Sequence, residues 1–307
     1  MALFYTTIQQ MLILFIFICI GYVCNKKMFL TQNTDESMAK LENNILMPAL
    51  ILNTFISQCT VKTLSQKWEI FLWGSIILAV TLIISCLLGK IFGEDAYTEN
   101  VFRYSFAFPN IGFMGIAVIQ GIGGADLLFD YMIFTLPYNL FIYSIGVTWL
   151  LPGKGTRKFD FKKLINPMFA AMAIGTALGL LAVPMPQIIM GSISSLSACM
   201  SPLAMILTGY VIAKFNVIEL LKIKKVYIAS VIRLIYIPLL AYSILNVLNI
   251  SNVIILPAIC ALAMPMGLNT IVIPTAHKLD VTLGASMALI SSVAAVITIP
   301  IVFMLIL

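Results

Sequence analysis

Two short elements hold the residues best suited to do chemistry in this chain: Ser105-Phe-Ala-Phe-Pro109-Asn110-Ile-Gly112-Phe-Met-Gly115 and Pro265-Met-Gly267-Leu-Asn269-Thr270. Each puts proline, glycine and asparagine within a few positions inside a long apolar stretch. Proline removes a backbone donor and clashes with the preceding turn, glycine permits unusual dihedrals, and asparagine offers both donor and acceptor. An unsatisfied peptide group is expensive in hydrocarbon, so a helix breaks there only where protein, water or a ligand satisfies the freed groups. If the two breaks cross, the half-helices that start near Asn110 and near Gly267 turn N-terminal N–H groups and partial positive charge towards one pocket. Such a pocket holds an anion non-covalently and without a fixed cation. The structural alternative is that both elements only kink their helices.

These elements belong to a duplicated pattern. Pro48 and Pro109 are 61 residues apart, Pro202 and Pro265 are 63 apart, and the two pairs are offset by 154 and 156 residues, half of the 307-residue chain. Paired interruptions of apolar segments at corresponding positions of two halves point to a carrier with its substrate where the breaks meet. The chain is 61% hydrophobic and 10% charged, with mean hydropathy +1.06, which implies an integral membrane protein. Apolar runs predict ten spans, at 5–24, 37–58, 69–92, 98–120, 128–151, 167–183, 187–213, 225–248, 252–277 and 282–306. The first repeat is 1–151, the polar linker 152–166, and the second repeat 167–307.

Lysine and arginine are retained on the cytoplasmic side. Loops after odd-numbered spans carry 15 of the 18 basic residues and loops after even-numbered spans only Lys62 and Lys67, with Arg233 left inside span eight. Both termini are therefore expected outside and the linker inside, and an odd number of spans per half makes the repeat inverted. The fold class expected is an all-α polytopic membrane protein of ten transmembrane helices in two inverted five-helix repeats. The net charge of +6 follows from this retention and gives no reason to expect a nucleic-acid partner. The first span lacks a cleavage signature and reads as uncleaved.

Among polar residues within spans, Asn139 lies midway along span five with Tyr143 one turn later on the same face, and both can line the pocket beside span four. The alternative for Asn139 is an interhelical hydrogen bond. Asn44, Asn53 and Thr54 around Pro48, and Ser194, Ser195, Ser197, Ser201 and Thr208 around Pro202, read as close-packing residues. No acid falls mid-span: Glu42 and Glu69 are near span entrances and Asp130 starts span five. A carboxylate-based sodium site or proton relay is thus not visible, although carbonyl and amide oxygens at a break can still take sodium. Arg233 reads as structural, since a permanent cation in the pocket would hold an anion too firmly. GTALG at Gly175 to Gly179 suggests a close helix contact in span six. Scattered cysteines and one histidine give no metal, redox or cofactor site, and no HExxH, mid-span aspartate pair, GxSxG turn or P-loop supports an enzyme or an ATP-driven pump.

At NNILMPALI, FAFPNIGFMGIAVIQGIGG, YNLFIYSIG and AMPMGLNTIVIPTAHKLD the chain resembles the auxin efflux carrier family of plant auxin exporters and bacterial relatives, some associated with malate or malonate. The likeness covers nearly the whole chain, and Asn110 to Gly115 is its most specific part. It implies crossed, broken spans four and nine at Pro109 and Pro265. It also implies a scaffold of spans one, two, six and seven, a transport domain of spans three to five and eight to ten, and a homodimer in the plasma membrane working by an elevator-type shift. A substrate carboxylate would be met near Asn110 and Asn139, with Phe113 and Leu268 as apolar walls and Tyr143 as a ring or hydroxyl contact. Two features depart from the plant carriers. VKTLSQKWEI has no clear equivalent of their acid at the start of span three, and the long central loop of some members is absent. The expectation is a secondary carrier exporting a small organic anion, a carboxylate. A sodium-coupled carrier of the bile-acid symporter type and a non-transporting receptor or assembly protein are the alternatives.

Overall fold

The computed structural model describes residues 2–31, 33–151, 167–275, 277 and 279–306, with the side chains of Ala2, Leu3, Tyr143 and Ser144 outside that description. The expected linker 152–166 and Lys278 also lie outside the described residues. Regular structure among the described residues is helical: α1 (Ala2–Lys26), α2 (Thr34–Leu41), α3 (Met47–Gln58), α4 (Val61–Phe92), α5 (Ala96–Ala107), α6 (Ile116–Phe141), α7 (Val147–Leu150), α8 (Pro167–Leu180), α9 (Gln187–Ile212), α10 (Val217–Leu221), α11 (Lys224–Val231), α12 (Ile237–Val247), α13 (Asn252–Leu262), α14 (Asn269–Thr275) and α15 (Thr282–Ile306). Six runs are long and apolar enough to cross a membrane: Phe4–Lys26, Val61–Phe92, Ile111–Phe141, Gln187–Ile212, Lys224–Val247 and Thr282–Ile306, with shorter apolar helices at Pro167–Leu180 and Asn252–Leu262.

Large apolar side chains cover the outside of these helices, among them Ile16 and Ile20 on α1 and Val80, Ile83 and Leu87 on α4. A chain that leaves so many such residues uncovered is built for a lipid surround. Packing inside relies on small residues. α1 lies on α9 so closely that a Cβ on Gly21 would overlap the Ile206 carbonyl and one on Gly209 the Ile18 carbonyl. The expected close contact at Gly175 and Gly179 is made within the chain, against Phe55 and Cys59 at the end of α3. α3 also packs on α9, α4 runs along α5 and α6, and α15 carries α10 and α11.

Helix interruptions have local causes. π-helical turns at Glu42–Leu46 and Ile232–Tyr236 each end two residues before a proline, Pro48 and Pro238. A widened turn makes room for a ring that would otherwise strike the carbonyl four residues back. α6 changes course at Gly124, whose φ of 62° and ψ of −156° belong to glycine, so the run Ile111–Phe141 is two helical pieces joined at one residue. The polar sequence GIGGAD there was expected as the loop between spans four and five, and a single glycine makes that turn.

Glu42, expected near a span entrance, is fully buried, and neither carboxylate oxygen meets a donor among the described residues. Asp130 is part-buried and pairs with Lys67 of α4. Thr54 and Thr208 return their hydroxyls to the Leu50 and Ala204 carbonyls of their own helices, in keeping with packing roles.

Candidate functional site

The first break begins where α5 ends. Phe108 closes the helix by donating its N–H to the Tyr104 carbonyl at 2.8 Å, and its own φ of −120° and ψ of 91° are the extended dihedrals that a following proline imposes. Pro109 then runs extended, and Asn110 starts the π-helical turn Ile111–Gly115 that leads into α6. In the second half α13 ends with Ala263 donating to the Ile259 carbonyl, and residues 265–267 cross towards α14 outside any helix or turn.

The two breaks meet. Pro109 and Met266 form an isolated antiparallel bridge, and the Asn110 N–H donates to the Pro265 carbonyl at 2.7 Å. Freed backbone groups are thus satisfied across the crossing and by side chains around it. The Met266 N–H donates to Ser291 Oγ of α15 at 3.0 Å, the Tyr131 hydroxyl donates to the Ile111 carbonyl at 3.0 Å, and Arg233 Nη1 donates to the Phe106 carbonyl at 3.3 Å. Asn110 Oδ1 caps the new helix by accepting from the Met114 N–H at 3.4 Å. Two groups of rings pack around α5, Phe92 with Phe102 and Phe106, and Tyr104 with Phe108, and hold its end in place.

A cavity of about 780 Å³ opens on this crossing. Its wall includes Pro109, Asn110, Gly112, Phe113, Asn139, Gly267, Leu268 and Asn269, eight of the eleven residues singled out from the sequence. The remaining three differ. Thr270 is buried and donates its hydroxyl to the Gly267 carbonyl at 2.9 Å, so it shapes the second break and does not face the cavity. Pro265 contributes the carbonyl that receives Asn110, and the Tyr143 side chain lies outside the described residues. Asn269 Nδ2 donates to the Tyr104 hydroxyl at 2.9 Å, which fixes the amide at the cavity wall.

The expected use of glycine also changes. Neither Gly112 nor Gly267 has a positive φ, and a Cβ on either would make only ordinary contacts, the nearest at 3.6 Å. Gly115 is the glycine that geometry demands, because a Cβ there would overlap the Tyr131 hydroxyl that holds the Ile111 carbonyl.

Chemically the wall at the crossing is uncharged, with the amides of Asn110, Asn139 and Asn269 set among apolar side chains, and it is charge-paired at the rim. Gly112 and Phe113 lie in the first turn of a helical run, where N–H groups lack intrahelical acceptors, and both line the cavity. Towards the helix ends the wall carries Asp35, Glu36, Lys40 and Lys214, joined as Lys40–Glu36 and Lys214–Asp35 pairs, each at 2.7 Å. Asn44, read from sequence as a packing residue, also lines the cavity. On the far side of Asn139 and Gly112 is a smaller apolar space of about 70 Å³, walled by Met47, Met132, Met168, Met172 and Phe55. No group of three or more metal-ligating side chains occurs among the described residues.

A model of the membrane transport protein family, the family of the auxin efflux carriers, matches residues 6–158 and 151–303. The chain belongs to this family. No curated protein matches it. Membership of the membrane transport protein family makes the chain a membrane transporter with a bilayer around it and a small molecule as its cargo. Asn110 to Gly115 is the segment that caps, turns and lines the crossing.

Tyr131, Tyr104 and Ser291 had no sequence signal. They are an ordinary tyrosine pair and a serine in apolar helices, and only their long-range partners give them a role at the break.

Proposed function

We propose that the chain is a secondary carrier of a small organic anion, a carboxylate, which it exports across the plasma membrane by elevator-type alternating access. The observation that carries this reading is the pairing of the Pro109 and Met266 segments over a cavity whose wall at the crossing presents the amides of Asn110, Asn139 and Asn269 and the first helical turn at Gly112 and Phe113. Neutral donors of this kind bind a carboxylate without the permanent grip of a lysine, and so favour release.

In this reading spans four and nine are the crossed helices of two inverted five-helix repeats, and α1, α3, α8 and α9 are the scaffold of a homodimer. The helices from α4 to α7 and from α11 to α15 carry the site. The cavity reaches the ends of α2 and α9, on the lysine-rich face that the charge bias assigns to the cytoplasm, and the state described is then open inward. Export needs no coupling ion. One negative charge moving outward through about 100 mV releases about 2.3 kcal/mol, enough for roughly 50-fold accumulation outside.

The test is a thermal-shift and counterflow screen of the purified chain against mono- and dicarboxylates, with sodium or choline as the cation. A carboxylate that raises the melting temperature and exchanges across proteoliposomes, with both effects weakened in Asn110→Ala and Asn139→Ala, is the expected result. Transport that vanishes in choline would assign the chain to sodium-coupled symport instead. Protein that moves no carboxylate, with ligand shifts unchanged in both variants, would end the carrier reading in favour of a receptor.

A further inference from the structure

Arg233 is the one fully buried guanidinium among the described residues, and it is poorly compensated. It sits in the π-helical turn Ile232–Tyr236, where a widened backbone points it at the break. Nη1 reaches the Phe106 carbonyl, while Nε and Nη2 are buried with no acceptor among the described residues. The helices packed on this turn, α11, α12 and α15, contain no acid. On α5, which supplies the carbonyl, Glu99 is engaged with Arg103. On α6, Asp130 is engaged with Lys67 and Asp126 is exposed.

A lone cation in a dry apolar core is unfavourable unless something supplies negative charge. The carbonyl end of α5, the negative pole of a half-helix, supplies a fraction of a charge. No carboxylate among the described residues pairs with Arg233, and its nearest ionisable neighbours are the neutral hydroxyls of Tyr131 and Tyr138 on α6. Charges on the cavity wall do not provide the remainder, because Lys40 with Glu36 and Lys214 with Asp35 cancel in pairs. The crossing, four positions along the chain from Phe106, is where an anion would supply it.

We infer that Arg233 is the fixed counter-charge of the carried anion, so that the site is matched to one negative charge and takes monocarboxylates in preference to dicarboxylates. The inference rests on the carboxylate reading of the same cavity. Arg233 is a positioning residue here: it stands behind the break, outside the cavity wall, and acts on the anion through the end of α5 and the low dielectric. That distance answers the objection that a cation in the pocket would prevent release. A loaded site is then neutral, whereas a dianion would leave it with an uncompensated negative charge.

The experiment uses the purified full chain and matched probes at neutral pH: dicarboxylates of three to six carbons and phthalate, the monomethyl ester of each, and monocarboxylates of the same carbon number with benzoate. Monoanions are expected to bind at least about tenfold more tightly than the parent dianions. Esterification of one carboxylate, which leaves the skeleton in place, should turn a weak binder into a strong one. Arg233→Met should weaken monocarboxylate binding by on the order of tenfold while leaving the melting temperature equal or higher, since an unpaired buried charge has been removed. A purely structural arginine would give the opposite result, with lower melting temperature and unchanged affinity in the folded fraction. Should Arg233→Met fail to fold, Arg233→Lys and Arg233→Gln divide charge from shape, and only the lysine variant should keep the affinity. Dicarboxylates that bind as tightly as their half-esters would overturn the inference and leave the carboxylate reading standing. If no carboxylate of either valence binds, the carboxylate reading itself fails.

Discussion

Gly115 and Tyr131 form a contact on which the crossing depends. The hydroxyl of Tyr131 reaches the Ile111 carbonyl only because Gly115 has no side chain. Gly115→Ala forces the ring back in a packed core and leaves that carbonyl unpaired, each a fault of about 1 to 3 kcal/mol. The single variant is expected to lower the melting temperature and reduce ligand-induced stabilisation. Gly115→Ala combined with Tyr131→Phe, which removes the overlapping atom, should recover part of the loss. Strictly additive losses in a double-mutant cycle would show that the two residues are not coupled. Asn110, Asn139 and Asn269 stand out in sequence, because an amide inside an apolar helix needs a reason, and all three line the cavity. Thr270 stands out by the same logic, yet it lies buried off the cavity wall. A short hydroxyl can return to its own backbone, here to Gly267, and sequence does not distinguish that from a cavity-facing role. Tyr131 and Ser291 were illegible, since their partners lie 20 and 25 positions away.

Helices in this chain are stopped by chemistry that can be read locally and joined by contacts that cannot. Pro109 explains the end of α5, and Thr60 and Asp95 explain the starts of α4 and α5 through paired side-chain caps. Asp95 accepts from the N–H groups of Tyr97 and Thr98, and the hydrogen bond from Thr98 holds its carboxyl below the usual aspartate range. A depressed pKa contributes stability above the unfolded value of about 3.9 and loses it as pH falls through the folded value. Asp95→Ala should therefore melt below the parent at neutral pH, and the gap should close in acid. A gap that stays constant from neutral pH into acid would mean that the cap does not act through its charge. The π-helical turns were not expected, although Pro48 and Pro238 mark those at Glu42–Leu46 and Ile232–Tyr236 in retrospect. Gly124 shows the limit of reading by hydropathy: six residues of GIGGAD look like a loop, yet one dihedral makes the turn.

At the scale of the whole molecule, the cavity joins the crossing to the ends of α2 and α9. Asn44 is exposed on its wall near those ends, and Asn269 lines it at depth. In a variant stripped of the six native cysteines, Asn44→Cys and Asn269→Cys should react with a membrane-impermeant thiol reagent from the cytoplasmic face of oriented vesicles. A bound carboxylate should slow the reaction at Asn269→Cys more than at Asn44→Cys. Labelling of both positions from the external face alone would reverse the orientation drawn from the lysine distribution. That distribution can be read from sequence because it sums over many basic residues, and the labelling decides whether the orientation follows from it.

The hydrogen bond from the Asn110 N–H to the Pro265 carbonyl is made of backbone alone, at 2.7 Å, between segments more than 150 positions apart. Side-chain replacement can weaken its surroundings but cannot delete it, apart from a proline at position 110. It works as a clasp. Any rearrangement that carries one break across the membrane must carry the other with it, or break the backbone hydrogen bond that joins them. Two distant stretches of chain are thereby made into one mechanical part, and that part is specified by atoms every residue shares.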